Sequence, residues 1–305
     1  MISPAFNPLS STLQPFLGQP FFGAKSANEP EASLQKAWQD LVVRERIECS
    51  VYNGNFRASP ELAQWFVNTM DKLCCQIGLH NDERYARLRQ HFVQGWGSQP
   101  QLADSFERDE DLRLCRRAGQ IEQLAETLET APQDYLDIGC ADGRMTRAIG
   151  QALDVETGHV SGVDVVLPDE HATGVQLKPY NGKRIPFKAE SQDMATLLTV
   201  LHHAEDPQAL LDEAYRVLRP GGSLVVREFD ADNPSAWLFN LVMDHMYYRV
   251  YSEAPDVPNP GNYKSKAEWQ KMFKKAGFTV NALENGEPDN PYQPFITLLE
   301  KPKKS

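Results

Sequence analysis

The chain has 305 residues, 41% of them hydrophobic and 24% charged, with 31 Lys+Arg against 42 Asp+Glu and a formal charge of −11. That apolar share supports a packed core and excludes a globally disordered chain, and the length suits one large domain or two small ones. The negative balance disfavours a duplex nucleic-acid partner, whose phosphates must be neutralised, and no apolar run approaches the ~18 residues of a membrane span. The first segment, MISPAFNPLSSTLQPFLGQPFF, lacks the basic start and compact apolar stretch of a signal peptide. The five cysteines (Cys49, Cys74, Cys75, Cys115 and Cys140) have no metal-ligand spacing and read as reduced, mostly buried thiols of a cytoplasmic protein.

Residues 1–30, rich in Pro, Phe, Ser and Gly, read as an irregular arm whose Phe16, Phe21 and Phe22 either dock on the body, form a lid or stay disordered. Residues 31–131 read as a helical cap. Ala37, Leu41 and Val42 recur at helical spacing, and Pro60 opens a helix striped by Leu62, Phe66, Met70 and Leu73. Asn81 or Asp82 caps a further helix that stops at Gly95, and 107–130 form a charged helix with an apolar face of Leu112, Leu114, Ile121, Leu124 and Leu128. At residue 132 the texture changes to alternating strands (135–138, 159–166, 194–200, 223–228) and helices (145–153, 207–218), which implies right-handed βαβ units and a parallel sheet covered on both faces. A helix over 265–277 and strands at 278–283 and 295–300 follow.

The strongest local signal is Leu136-Asp137-Ile138-Gly139-Cys140-Ala141-Asp142-Gly143-Arg144, a strand, a tight turn with two glycines and a helix start. A dinucleotide fingerprint would read G-x-G-x-x-G and seat a pyrophosphate. Here the glycines are four apart and two aspartates join them, which suits a ligand with a positive centre. The second strand ends in Asp164, 25 residues after Gly139, where a carboxylate can accept from both hydroxyls of a ribose.

With IPF followed by MATLLTVLHH and with ALLDEAYRVLRPGGSLVV, these segments resemble the class I S-adenosylmethionine-dependent methyltransferases over about residues 132–300. The resemblance implies an α/β, Rossmann-like, seven-stranded and mostly parallel sheet with a reversed final strand and helices on both faces. The domain spans 132–305, carries a helical insertion at about 234–264, and follows the N-terminal cap. It implies S-adenosylmethionine as cofactor, with Gly139, Cys140, Ala141 and Gly143 along the methionine, Asp137 at its amino group, Asp164 at the ribose and Val165 beside the adenine. Thr199, Asn181 and Gly182 complete the implied cofactor set. Where the family often has Gly-Asp-Ala, this chain has Tyr180-Asn181-Gly182. Asn181 can still bond adenine through its amide, and Tyr180 can stack or face the sulfonium.

Methyl transfer needs alignment, water exclusion and sometimes a base. The catalytic candidates are His202, His203, Asp230 and Tyr180, and the acceptor-binding candidates are Trp237, Tyr247, Tyr248 and Tyr251 on an aromatic-rich helix. The expected function is methylation of a small-molecule acceptor in specialised metabolism, with no metal, no membrane and no duplex nucleic acid. Two alternatives keep the cofactor: a cyclase that consumes S-adenosylmethionine and releases methylthioadenosine, as in azetidine-2-carboxylate formation, and a non-catalytic partner subunit.

Overall fold

A computed structural model describes residues 30–55, 60–97, 101–169, 171–251, 259–285 and 289–303. The expected arm, with Phe16, Phe21 and Phe22, lies outside these residues. In chain order the helices are α1 (Leu34–Gln39), α2 (Leu41–Ser50), α3 (Pro60–Cys75), α4 (Asn81–Gly97), α5 (Gln101–Ala125), α6 (Arg144–Ala152), α7 (Pro207–Val217), α8 (Pro234–Met246) and α9 (Lys266–Lys275). The strands are β1 (Tyr135–Ile138), β2 (Val160–Asp164), β3 (Gln176–Pro179), β4 (Gln192–Leu198), β5 (Leu218–Phe229), β6 (Thr279–Asn285) and β7 (Pro294–Glu300). Two compact units form. One comprises Met1–Glu110, Ala231–Tyr263 and Asp289–Tyr292; the other comprises Asp111–Asp230, Lys264–Pro288 and Gln293–Ser305.

In the first unit, Leu34, Ala37, Val43, Ile47, Phe66, Met70, Tyr85 and Phe239 are buried together with the Leu62–Leu73 stripe read from the sequence. One helix was expected through Ala37, Leu41 and Val42, but Asp40 leaves helical geometry (ψ 111°) and splits it in two. Its carboxylate accepts from the backbone N–H groups of Val42 and Val43, so it caps α2. Leu41 is consequently 80% exposed instead of buried. Asn81 does not cap α4: its amide accepts from Leu34 N (3.0 Å) and donates to Ala32 O (2.8 Å), tying the start of α1 to the α3–α4 turn.

The second unit holds a seven-stranded sheet of order β3-β2-β1-β4-β5-β7-β6, with β7 antiparallel to both neighbours. Side chains alternate across it with the period of two that strands impose. Leu136, Ile138, Ala195, Leu197, Leu224 and Val226 pack on one face with Leu211 and Ala214 of α7 and Trp269 and Phe273 of α9. Tyr135, Met194, Val225, Ile296 and Leu298 pack on the other with Ile121 and Leu124 of α5 and Ile149 of α6. Helix starts are well signalled: Asp206 accepts from Gln208 and Ala209 N–H ahead of Pro207, and Ser265 with Glu268 forms a reciprocal capping box.

Further sequence expectations change. Strand β3 was not foreseen; it is a four-residue edge strand, only half-buried and ending in proline. Pro220-Gly221-Gly222 was read as a turn before a strand, whereas β5 already begins at Leu218, and Gly221 N and Gly222 O bond to Lys301. The face expected on α5 narrows, since Leu112 is 63% exposed. All five cysteines are free thiols, but only Cys74 and Cys140 are buried.

Candidate cofactor-binding and catalytic site

Parallel register aligns the carboxyl ends of the strands: Asp137 lies opposite Gly162 and Thr196, Asp164 opposite Pro179, and Leu198 opposite Arg227. The loops leaving this edge carry most of the expected site residues of this unit.

The β1–α6 loop is held by its own backbone. Gly139 N and Cys140 N donate to Val163 O, Gly143 N donates to Cys140 O, Ala141 N donates to Asp164 Oδ2 (2.8 Å), and Arg144 N donates to Asp142 Oδ1 (3.0 Å). The N–H groups of Gly139, Cys140, Ala141, Gly143 and Arg144 are therefore already engaged within the protein. Gly139 and Gly143 adopt φ of 82° and 76°. A Cβ on Gly139 would lie 2.3 Å from Val200 Cγ2, and one on Gly162 would lie 2.8 Å from Cys140 Sγ. The charge of Asp142, expected to shape the ligand site, is spent on Arg144, whose Nε lies 2.6 Å away.

Asp137 is buried on the face covered by α6. Thr146 Oγ1 donates to its Oδ2 and Thr196 Oγ1 to its Oδ1, both at 2.6 Å. Tyr135 OH lies 2.8 Å from Thr196 Oγ1, which extends the network. Burial pushes the Asp137 carboxyl up to about 6, the two hydroxyls pull it down, and nearby Asp164 adds a smaller upward push. Asp164 accepts from Ala141 N and from Val166 N (3.1 Å), one bond per oxygen, which leaves acceptor capacity on each.

Beyond β3, Tyr180 N donates to Asp164 O, and burial pushes the Tyr180 phenol up to about 12. Asn181 Oδ1 accepts from Lys183 N and Arg184 N, so the adenine contact expected of its amide can come only from the NH2 side. Gly182, at φ 73°, lies against Val165, which brings two of the expected adenine-side positions together. Ile185 and Phe187 are pinned through their carbonyls by Arg216. Burial pushes the Cys140 thiol well up, so it is a packing group and not a nucleophile.

At the end of β4, Thr199 sits at φ 61°, a conformation that β-branched residues seldom adopt, held by Thr199 N donating to Arg227 O (2.8 Å). His202 and Glu228 are each 1% exposed, and His202 Nδ1 lies 2.6 Å from Glu228 Oε2. Leu201 N donates to Glu228 Oε1 (2.8 Å). The ring centroid of His202 lies 4.3 Å from that of His203 and 5.6 Å from that of Phe229. Glu228 was not singled out as a site residue from the sequence. Asp230, an expected catalytic residue, accepts from Lys266 N through Oδ1 (2.8 Å) at the start of α9.

In the first unit, Trp237 Nε1 donates to Gly261 O (3.0 Å) and Tyr247 stacks edge-on against Tyr248 at 5.1 Å. Asp244, on the same helix, accepts from the Tyr263 hydroxyl. Tyr251 lies in the π turn Tyr247–Tyr251, and its side chain falls outside the described residues.

Acceptor groups dominate the edge where β1 and β2 end. Such a set suits a ligand that is cationic and carries hydroxyls, and it is wrong for a pyrophosphate. The sequence model of a family described as a methyltransferase domain matches residues 106–283. The chain belongs to this family of S-adenosylmethionine-dependent methyltransferases with the class I Rossmann-like fold. It is 25% identical over 177 residues to the ubiquinone biosynthesis O-methyltransferase of Psychrobacter arcticus, covering 54% of this chain and 66% of that protein. It is 29% identical over 167 residues to the demethylmenaquinone methyltransferase of Lactiplantibacillus plantarum, covering 47% and 69%. A methyltransferase structure from Methanosarcina mazei matches 59% of this chain and 98% of its own at 18% identity and a TM-score of 0.42. The chain thus spans just under two thirds of the Psychrobacter protein. Among the described residues, no helix is long and apolar enough to cross a membrane.

Proposed function

We propose that this chain methylates a hydroxyl-bearing small molecule of specialised metabolism, using S-adenosylmethionine as donor. The observation that carries the reading is the β1–α6 loop: the N–H groups of Gly139, Cys140, Ala141 and Gly143 are engaged internally, and two carboxylates, Asp137 and Asp164, stand at the adjoining strand ends. When bound, S-adenosylmethionine supplies an electrophilic methyl carbon on a sulfonium. Asp164 accepts the ribose hydroxyls, Asp137 neutralises the ammonium, and Gly139, Cys140, Ala141 and Gly143 present backbone to the methionine. Val165, Gly182 and the Asn181 NH2 flank the adenine, with Tyr180 and Thr199 beside them. His202 takes the proton of the acceptor hydroxyl, with the His203 ring tilted beside it. Acceptor recognition is assigned to Trp237, Tyr247 and Tyr248. The names of two relatives, a ubiquinone biosynthesis O-methyltransferase from Psychrobacter and a demethylmenaquinone methyltransferase from Lactiplantibacillus, support a small-molecule acceptor.

Calorimetry with S-adenosylhomocysteine tests the cofactor half. Asp164→Ala is expected to weaken binding by about 1–3 kcal/mol, because ligand hydroxyls and the Ala141 N–H lose their acceptor. Unchanged affinity in a variant that still melts cooperatively would remove the assignment. Incubation with S-adenosylmethionine and catechol, followed by mass spectrometry, tests the reaction. The expected products are S-adenosylhomocysteine and a methyl ether; methylthioadenosine formed without acceptor would replace this reading with the cyclase.

A further inference from the structure

Two buried asparagines of the first unit differ in what their amides do. Asn259, 3% exposed, is used on both sides: Nδ2 donates to the Tyr263 hydroxyl (2.9 Å) and to Asp244 Oδ2 (3.4 Å), and Oδ1 accepts from Gly261 N (3.0 Å). Asn240, in the middle of α8 and 1% exposed, has neither Oδ1 nor Nδ2 bonded to any described residue. Its place on the helix is marked by the loop over residues 259–263. Trp237 Nε1, three residues before Asn240, donates to Gly261 O (3.0 Å), and Asp244, four residues after it, accepts from the Tyr263 hydroxyl. At that spacing Trp237 and Asp244 share the helical face of Asn240. The loop is seated closely, since a Cβ on Gly261 would lie 3.2 Å from Trp237 Cζ2. It therefore grips α8 one turn before and one turn after Asn240 without bonding the amide between them.

A buried amide with both halves unbonded lowers stability, and a leucine of the same branched shape would avoid that cost. Unlike Asn259, the Asn240 side chain holds no turn or neighbouring segment in place, so its polarity serves no contact within the fold. Its helical neighbours Ala236 and Met243 are buried and apolar. One polar group among apolar ones is the usual means by which a small-molecule site fixes orientation. An amide presents an N–H beside a C=O, and its complement is an oxygen acceptor beside an O–H donor. We propose that Asn240 is a specificity-determining residue for the methyl acceptor: Nδ2 donates to one ligand oxygen, and Oδ1 accepts from a hydroxyl on the adjacent carbon. This rests on the function proposed above and narrows its substrate class to molecules with two vicinal oxygens, at least one of them a hydroxyl. An acceptor with a single hydroxyl leaves half of the amide unpaired, and a buried polar group left unpaired is what rejects the wrong ligand.

Binding of catechol and of phenol to the full-length protein, saturated with S-adenosylhomocysteine, tests this without turnover. The wild type is expected to bind catechol at least about tenfold more tightly than phenol. Asn240→Leu, which keeps the branched shape, is expected to bring that ratio below about twofold and to leave S-adenosylhomocysteine affinity within about twofold. Asn240→Ala gives the same ratio should leucine disrupt the fold. In 15N-labelled wild type, the side-chain NH2 signals of Asn240, assigned by their loss in the variants, are expected to shift as catechol is added. A wild type that does not bind catechol, an Asn240 signal that stays in place at saturation, or a catechol preference that survives the substitutions would overturn the proposal. Catechol that binds through Asn240 but is not methylated in the presence of S-adenosylmethionine would instead strike the proposed function. If S-adenosylhomocysteine does not bind, the titrations run without it still decide the role of Asn240.

Discussion

Gly139→Ala is expected to lower the melting temperature by roughly 5–15 °C and to cost about 2–4 kcal/mol of stability, from two separate causes. The first is conformational: Gly139 sits at φ 82°, where an L residue pays about 1–2 kcal/mol. The second is steric. The new methyl would lie 2.3 and 2.9 Å from the two γ-carbons of Val200 and 3.2 Å from its Cβ. Val200 is β-branched, so its methyl groups are not the far end of a flexible chain that can swing away. It also leads into the Leu201–His203 turn that Glu228 holds. The two causes can be separated experimentally. In Gly139→Ala/Val200→Ala the steric conflict is removed and the backbone cost remains, so the double variant is expected to recover at least half of the loss. Chemical denaturation checks both proteins. A single variant melting within 2 °C of the wild type would show that the loop relaxes freely, contrary to its dense internal hydrogen bonding.

Asp137→Asn is expected to raise stability above pH 7 while weakening S-adenosylhomocysteine binding about tenfold or more. Burial pushes the Asp137 carboxyl up to about 6, so the folded state holds a proton that the unfolded chain, with an ordinary carboxylate, releases nearer pH 4. Between about pH 4 and 6 the native state binds more protons, and stability falls as pH rises through that window. The loss totals on the order of 3 kcal/mol and persists at neutral pH. A neutral asparagine escapes it, provided that Thr146 or Thr196 turns its hydroxyl to accept from the new NH2. The ligand reads the same titration in the opposite direction. If the ionised carboxylate is what meets the ammonium, wild-type affinity should climb about fourfold between pH 5.5 and 8, whereas Asp137→Asn should stay flat. Calorimetry at the two pH values measures this, and a flat wild-type profile would separate Asp137 from ligand binding.

The sheet was legible because its central strands are short, apolar and bounded by turn residues: β1 and β2 match their expected spans to within two residues at each end. Strand β3 was not, because Gln176–Pro179 has neither an apolar run nor a buried alternation, and its pairing comes from Ser161–Asp164 next door. The break at Asp40 was hidden for a related reason. Helical periodicity runs through it, and only the capping geometry shows that the aspartate serves the following helix. In the candidate site, the Gly139–Gly143 loop and Asp164 could be read because their chemistry is local to a strand and its turn. Glu228 meets His202 across 26 residues of chain, so only the parallel pairing of β4 with β5 brings them together. For Asp230 the carboxylate was visible in the sequence, but not its engagement with the start of α9.

The placement of β7 between β5 and β6 has a consequence for how the chain is made. Strand β6 leaves the ribosome before β7, yet within this sheet its partner is β7. Until β7 is synthesised, β6 has nowhere to dock, and β5 presents the unpaired backbone and side chains of Leu224, Val225 and Val226 along an open edge. An open apolar edge is a template for pairing with another chain. The vulnerable interval in the life of this protein therefore runs from the completion of β5 at Phe229 to that of β7 at Glu300, the time it takes to translate residues 230–300. A nascent chain stalled within that stretch is expected to be the species that chaperones must shield.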